Sequence, residues 1–135
     1  IVDEDIAKFD SVTGSKRAAT FGHATIAGVA ALLEAWRRRH PTGRHFVDLG
    51  AGVGHVALIG AILENATYFR GVELATSRID VARAALDRFD RLYPDLDLGR
   101  RVRLDHDDML AVDLGAADGV WISSLALPTE VLTNL

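Results

Sequence analysis

The stretch FVDLGAGVGHVALIG, Phe46 to Gly60, carries three glycines at alternate positions directly after a short apolar run. The run HFVDLG predicts a β-strand, and the largely apolar HVALIGAILENA that follows predicts a helix packed against a sheet. Glycine permits positive φ angles and removes the Cβ that would hold a ligand away from the backbone. The stretch therefore predicts a strand, a glycine turn and a buried helix in succession.

The same alternation continues on both sides of this stretch. Apolar residues at helical spacing from Thr25 to Trp36 predict an amphipathic helix that ends at HPTG, residues 40–43. Further on, the sequence predicts a strand at YFRGVEL (68–74), a helix at TSRIDVARAALDRFDRLYP (76–94) and strands at RVRL (101–104) and GVWISS (119–124). Ser77 and Asp80 have the spacing of a capping box at the start of the second of these helices. This order predicts an α/β fold with a doubly wound, mostly parallel sheet.

Length and composition predict one globular unit, because the chain has 135 residues, 49% of them hydrophobic and 25% charged. We divide it into an N-terminal lead-in, 1–20, and a domain, 21–135. The absence of cysteine excludes a disulfide framework and a thiolate zinc site. No apolar run approaches the roughly 20 residues that cross a bilayer, and residues 1–10 do not resemble a signal peptide, so we expect a cytoplasmic protein without a membrane partner. The net charge of -4 disfavours nucleic acid as a partner.

The spacing of the glycines distinguishes between nucleotide-type sites. In a doubly wound sheet, ligands bind beyond the carboxyl ends of the strands, at the first strand-to-helix turn. The dinucleotide fingerprint G-x-G-x-x-G, started at Gly50, requires glycine at position 55, where the chain has His55. The chain has D-x-G-x-G-x-G instead, with Asp48 as the acid. A purely structural glycine turn and a nucleotide-dependent oxidoreductase remain alternative interpretations of the residues alone.

This D-x-G-x-G-x-G pattern at the end of a strand resembles the first motif of the Rossmann-like (class I) S-adenosylmethionine-dependent methyltransferases. The resemblance implies binding of S-adenosyl-L-methionine and release of S-adenosyl-L-homocysteine. It implies that the methionine part of the cofactor lies against four residues, Asp48, Gly50, Gly52 and Gly54. The transferred methyl group is already electrophilic on its sulfonium, so the resemblance implies catalysis by alignment and names no catalytic side chain.

The resemblance also implies which residues contact the adenosine part of the cofactor. It implies that Glu73, at the end of the second predicted strand, accepts hydrogen bonds from the ribose hydroxyls and that Leu74 packs on the adenine. In the third connection it places Asp108 and Met109 at the adenine, with Asp107 as the register alternative to Asp108. Ser123, after the fourth strand, is the candidate for contact with the substrate or the cofactor carboxylate. The acids around His106 lack the spacing of a metal site, so no metal is predicted.

Four segments together, FVDLGAGVGHVAL, GVEL, DDML and ISSLALPTEV, resemble the non-SET histone-lysine methyltransferases, the disruptor-of-telomeric-silencing family. The resemblance runs from about Phe21 to the end of the chain. Ser123 and Ser124 stand where that family has an Asn pair, and residues 21–23 stand where it has Y-G-E. The resemblance implies a methyl acceptor that is a protein lysine, with a small molecule as the alternative.

Only the first four strands of the expected methyltransferase sheet are recognisable, which indicates truncation after the fourth strand. A non-catalytic cofactor-binding module, or a pseudoenzyme half-domain, is therefore the second functional hypothesis, and the oxidoreductase is the third. The fourth strand would expose an unpaired edge, and exposed edges are normally covered. We expect the missing strands or another chain to cover it.

Overall fold

A computed structural model describes residues 24–122 of the chain. In that range the elements are α1 (Ile26–Arg39), β1 (His45–Leu49), α2 (His55–Leu63), β2 (Tyr68–Glu73), α3 (Thr76–Leu92), a 3-10 turn (Pro94–Leu96), α4 (Leu98–Arg101), β3 (Val102–His106) and β4 (Gly119–Ile122). The lead-in, residues 21–23 and everything from Ser123 onward lie outside the described residues. Among those described, no helix is long and apolar enough to cross a membrane.

The described strands form one parallel sheet in the order β3-β2-β1-β4. His45 at the start of β1 lies opposite Tyr68, and Phe46 lies opposite Gly119 of β4. The prediction of an α/β fold with a parallel, Rossmann-like sheet is confirmed. Because the strands are parallel, the carboxyl ends of β1, β2 and β3 lie side by side at one edge of the sheet.

The two faces of the sheet are covered differently. One face carries Phe46 and Phe69, which pack in the main core with buried residues of the helices, namely Val29, Leu33, Trp36, Val56, Ala57, Leu58, Ala61, Ile79, Ala82 and Leu98. The other face carries Val47, Leu49 and Val72, which pack with Met109, Val112, Ala117 and Ile122. The connection from β3 to β4 contains no helix, and it supplies Met109, Val112 and Ala117 to this second cluster. The described helices therefore contribute to the core on one face, and a loop packs on the other.

The predicted amphipathic helix is α1, and its start is fixed locally. Thr25 is its N-cap, and the Thr25 hydroxyl accepts a hydrogen bond of 3.0 Å from the Gly28 amide. Val29, Leu33 and Trp36 are buried as the periodicity predicts, whereas Ile26 is 66% exposed. At the other end Arg37 donates to carbonyl oxygens that follow the helix, including that of Gly43. Arg37 thus caps the C-terminal end of α1.

The start of α3 differs from the prediction. Its N-cap is Ala75, with no side-chain capping bond, so the expected capping box of Ser77 and Asp80 is wrong. The Glu73 carboxylate accepts the Ala75 amide hydrogen at 2.9 Å instead. The acid of the preceding strand therefore accepts the N–H of the N-cap residue, the role that the predicted capping box gave to Asp80.

A buried arginine links the short α4 to the end of α2. Arg101 is 4% exposed, and its guanidinium donates to four backbone carbonyl oxygens, those of Ala61, Glu64, Thr67 and Leu96, at 2.7 to 3.2 Å. Carbonyl groups at a helix C-terminus lack intrahelical partners and carry partial negative charge. The cation is therefore fully hydrogen-bonded at the end of the molecule where the strands begin.

Candidate functional site

The glycine turn between β1 and α2 has the backbone shape that the sequence predicted. Gly50, Gly52 and Gly54 have φ angles of 79°, 57° and 84°, which side chains rarely permit. The Gly50 and Ala51 amides donate to the Val72 carbonyl at 2.8 and 2.9 Å, so the turn is attached to β2. A Cβ on Gly50 would lie 3.2 Å from Met109 Cε. At its three glycines the turn has backbone without side chains, at the carboxyl ends of the strands.

Glu73, at the end of β2, holds this turn in place. The carboxylate is 4% exposed, with Oε2 accepting the Gly52 amide hydrogen at 2.7 Å and Oε1 accepting that of Ala75 at 2.9 Å. Each carboxylate oxygen has two lone pairs, so both oxygens keep capacity for a further donor. One side chain thus links the glycine turn to the start of α3, a contact that the sequence did not reveal.

Asp48 lies at the end of β1 beside Glu73 and is only 3% exposed. Burial, followed by repulsion from Glu73, raises the pKa of Asp48 from 3.8 to about 7. Among residues 24–122, no group donates a hydrogen bond to the Asp48 carboxylate. A buried acid in this state would be ionised by a cation placed next to it.

The predicted adenine residues lie around the same turn. The amide of Asp107 donates to the Glu73 carbonyl at 3.2 Å, which holds the third connection against the end of β2. Met109 packs against the apolar cluster on the second face, close to Gly50. The Asp108 carboxylate accepts the Leu110 amide hydrogen at 2.9 Å, and Leu74 is 39% exposed at the rim. The structure therefore brings together every predicted cofactor residue except Ser123, which lies outside the described residues.

His106 at the end of β3 is a neighbour of this site that the sequence did not assign to it. Its Nε2 atom lies 2.9 Å from the Leu74 carbonyl oxygen and 3.4 Å from the Thr76 hydroxyl. Asp105 turns to the second face, where it pairs with Arg70 and Arg103. In the part of the chain that the structure describes, no group of three or more His, Cys, Asp or Glu side chains could hold a metal ion.

No protein-family model and no curated protein matches the chain. Solved structures do match it. An amino pentose methyltransferase from Micromonospora echinaspora, with S-adenosylmethionine bound, shares 25% identity and a TM-score of 0.62 over 82% of this chain and 42% of that one. The magnesium protoporphyrin IX methyltransferase of Synechocystis PCC 6803, also with S-adenosylmethionine bound, shares 15% identity and a TM-score of 0.63 over 99% of this chain and 69% of that one.

The chain has the Rossmann-like fold of the class I methyltransferases. A glycopeptide N-methyltransferase shares this fold with a TM-score of 0.60 and 24% identity, over 76% of this chain and 46% of that one. None of the three shows the disruptor-of-telomeric-silencing family in particular. The chain spans less than half the length of the amino pentose and glycopeptide enzymes.

Proposed function

We propose that this chain binds S-adenosylmethionine at the carboxyl ends of β1, β2 and β3 and belongs to a methyltransferase that uses it. The observation that carries the proposal is the positive-φ glycine turn from Gly50 to Gly54, held by Glu73 beside the buried acid Asp48. The presence of this cofactor in two matched structures of the same fold supports the assignment.

The residues of the site fit the charge of the proposed ligand. S-adenosylmethionine carries a sulfonium and an ammonium group and supplies an electrophilic methyl carbon. Asp48 has no hydrogen-bond donor among the described residues, so a cation close to it would offset the cost of its burial. We assign the methionine part to the glycine turn on this basis, with Asp48 acting directly or through water.

Glu73 and its neighbours would take the adenosine part. The free lone pairs of the Glu73 carboxylate suit the ribose hydroxyl groups, since its amide contacts use one position on each oxygen. Leu74 and Met109 offer apolar surface for the adenine, and Asp108, or Asp107 in the other register, offers an acceptor for its amino group. Ser123 stays a candidate for the cofactor carboxylate or the substrate.

The chemistry then depends on alignment. The cofactor would supply an electrophilic methyl carbon. The lone pair of a deprotonated acceptor would form the new bond, the carbon–sulfur electron pair would stay on the sulfur, and a proton would then leave the methylated acceptor. The chain must fix the cofactor so that nucleophile, carbon and sulfur are in line, and must exclude water. The link from the Glu73 carboxylate to the amides of Gly52 and Ala75 gives this end of the site a fixed geometry.

For the acceptor we propose an amine nitrogen, on a protein lysine or on a small molecule. The motif resemblance favours lysine, and the match to an enzyme that acts on an amino pentose favours a small amine. Incubation with methyl-labelled cofactor, a lysine peptide and an amino sugar distinguishes the two by which product carries the label. Label in neither product, from a sample that binds the cofactor, would contradict an amine acceptor.

A non-catalytic cofactor-binding half-domain remains the second candidate. β4 lies at the edge of the described sheet, and its Val120 and Trp121 are 44% and 38% exposed. We propose that further strands or another chain cover this edge in the working protein. An oxidoreductase is the third candidate, disfavoured because His55 occupies the glycine position of the dinucleotide fingerprint. A cytoplasmic location stays a prediction.

A matched pair of glycine substitutions tests cofactor binding. Gly50 and Gly115 both have positive φ, 79° and 56°, so alanine strains the backbone at either position. At Gly50 the added methyl group would lie 3.2 Å from Met109 Cε, inside the proposed cofactor site, whereas the Cβ position on Gly115 has no atom within 4 Å. We expect Gly50→Ala to weaken S-adenosylmethionine binding in calorimetry at least tenfold, about 1.4 kcal/mol, and Gly115→Ala to leave it unchanged. Equal affinities for the two variants would contradict the proposed site.

A further inference from the structure

A second pocket lies on the sheet away from the glycine turn, near the amino ends of the strands. It has a volume of about 260 Å³, and its lining includes His45, Tyr68, Arg70, Arg100, Arg103 and Leu114. β1 has five residues, so its first and last residues are roughly 13 Å apart along the strand. The pocket is therefore separate from the proposed cofactor site.

An aromatic pair forms one side of this pocket. The rings of His45 and Tyr68, which are opposite each other in the sheet register, stack with centroids 5.2 Å apart and planes 13° from parallel. The Arg100 guanidinium lies 5.8 Å from the Tyr68 ring centroid and donates to the Tyr68 hydroxyl at 2.9 Å. The stack and the hydrogen bond fix the position of one cationic group at the pocket.

Two more arginines share a single acid. Arg70 and Arg103 lie opposite each other on β2 and β3, and their Nε atoms donate to the two oxygens of Asp105 at 2.6 and 2.9 Å. Arg100 pairs with Asp97.

With Arg101, four guanidinium groups line the pocket. Three carboxylates lie close to its lining, those of Asp97, Asp105 and Asp118, the last of which accepts the His45 amide hydrogen at 2.9 Å. Cationic groups therefore outnumber carboxylates at the pocket.

The arginines of the pocket also keep hydrogen-bond donors free. Among the described residues, Nη1 and Nη2 of Arg103 and Nη2 of Arg100 contact no acceptor, and Arg70 uses only one of its two terminal nitrogens, on the Asp113 carbonyl. The adjacent Arg101 is different, since all of its nitrogens donate to backbone carbonyls. Planar guanidinium donors suit the tetrahedral oxygens of a phosphoryl group.

We propose that this pocket binds a phosphoryl dianion, either inorganic phosphate or the phosphate group of a larger molecule. The Tyr68 and His45 rings would lie beside the anion, and the free donors of Arg70, Arg100 and Arg103 would contact its oxygens. The site does not depend on the cofactor assignment, because it uses none of the residues of the glycine turn.

The test is a calorimetric titration at constant ionic strength with inorganic phosphate and with phenyl phosphate, on the chain saturated with S-adenosylhomocysteine and without it. We expect saturable binding that S-adenosylhomocysteine does not displace. Tighter binding of phenyl phosphate would identify an aromatic phosphoester as the ligand class, and equal binding would identify the free anion. Loss of a charged hydrogen bond in Arg100→Gln or Arg103→Gln should weaken binding about tenfold.

Arg91→Gln is the matched control, because Arg91 is 74% exposed and paired with Asp87, much as Arg103 is 70% exposed and paired with Asp105. Circular dichroism establishes that each variant is folded. Absence of saturable binding to the folded chain would overturn the proposal. Displacement of phosphate by S-adenosylhomocysteine would also overturn it, because the anion would then bind at the cofactor site. An equal loss of phosphate affinity in Arg91→Gln would overturn it as well, because the effect would then come from net charge alone.

Discussion

Asp48 and Arg101 are both ionisable and almost completely buried, 3% and 4% exposed, yet their surroundings are opposite. Arg101, where the strands begin, donates to four backbone carbonyl oxygens. Asp48, where β1 ends, has a second acid beside it and no donor among the described residues. A buried ionisable group whose hydrogen bonds are all satisfied within the protein stabilises the fold. A buried ionisable group without such partners indicates a ligand-binding position.

The largest effect should come from removing the uncompensated acid. The pKa of Asp48 in the folded protein, about 7, lies above the ordinary value of 3.8, so the folded state binds more protons than the unfolded state between these values. The stabilising contribution of neutral Asp48 is complete below pH 3.8 and is lost as the pH rises towards 7. Without ligand, Asp48→Asn should therefore increase the free energy of unfolding by at most about 4 kcal/mol at pH 8.

Urea unfolding at pH 4 and pH 8 measures this difference. At pH 4 the substitution should have little effect, because Asp48 is then neutral in the folded protein. If Asp48→Asn destabilised the protein equally at both pH values, Asp48 would have a structural hydrogen-bond partner, as Arg101 has. The contrast between Asp48 and Arg101 would then be lost.

Substitution of the compensated cation should act in the opposite direction. Arg101→Met leaves buried carbonyl oxygens at the end of α2 without their donor, so we expect a loss of about 3 kcal/mol in the free energy of unfolding. Arg91→Met, at an arginine 74% exposed and paired within one helix, should cost at most about 0.5 kcal/mol. Urea midpoints compare the two variants, and similar midpoints would show that the carbonyl contacts of Arg101 contribute little.

A smaller effect should appear in the pH dependence of cofactor affinity. The cationic cofactor favours ionised Asp48, so its binding should strengthen about five- to tenfold from pH 6 to pH 7.5, as Asp48 no longer has to lose a proton. Calorimetry in buffers of different ionisation enthalpy counts the released proton. In Asp48→Asn the affinity should be weaker and independent of pH over this range, and a pH-independent affinity in the unsubstituted chain would disprove the role of Asp48.

The fold was predictable where the determinants are local. The Thr25 cap, the glycines after β1 and the period of the apolar residues in α1 each act within a few residues, so the element bounds agree closely with the structure. The cofactor candidates Gly50, Glu73 and Met109 came from the resemblance to the methyltransferase motifs, and they lie close together because parallel strands bring their carboxyl ends to one edge.

The remaining features depend on contacts between distant parts of the chain. The amide of Gly52 that Glu73 accepts is 21 residues away, and one carbonyl contacted by Arg101 is 40 residues away. The capping box of Ser77 was wrong because Glu73 supplies the acceptor at the start of α3. The pairing of Arg70 and Arg103 with Asp105 also required the register of β2 against β3.

The measurement that tests the central claim most directly is a calorimetric titration with S-adenosylhomocysteine of the unsubstituted chain, Glu73→Gln and Glu73→Ala, with NAD as the contrasting ligand. Gln retains one acceptor for the amides of Gly52 and Ala75, so Glu73→Gln separates loss of the carboxylate from collapse of the turn. The account predicts saturable binding to the unsubstituted chain, binding at least tenfold weaker to Glu73→Gln, weaker still to Glu73→Ala, and no response to NAD. A folded chain that ignores S-adenosylhomocysteine, or binds it equally well without the carboxylate, would contradict the account.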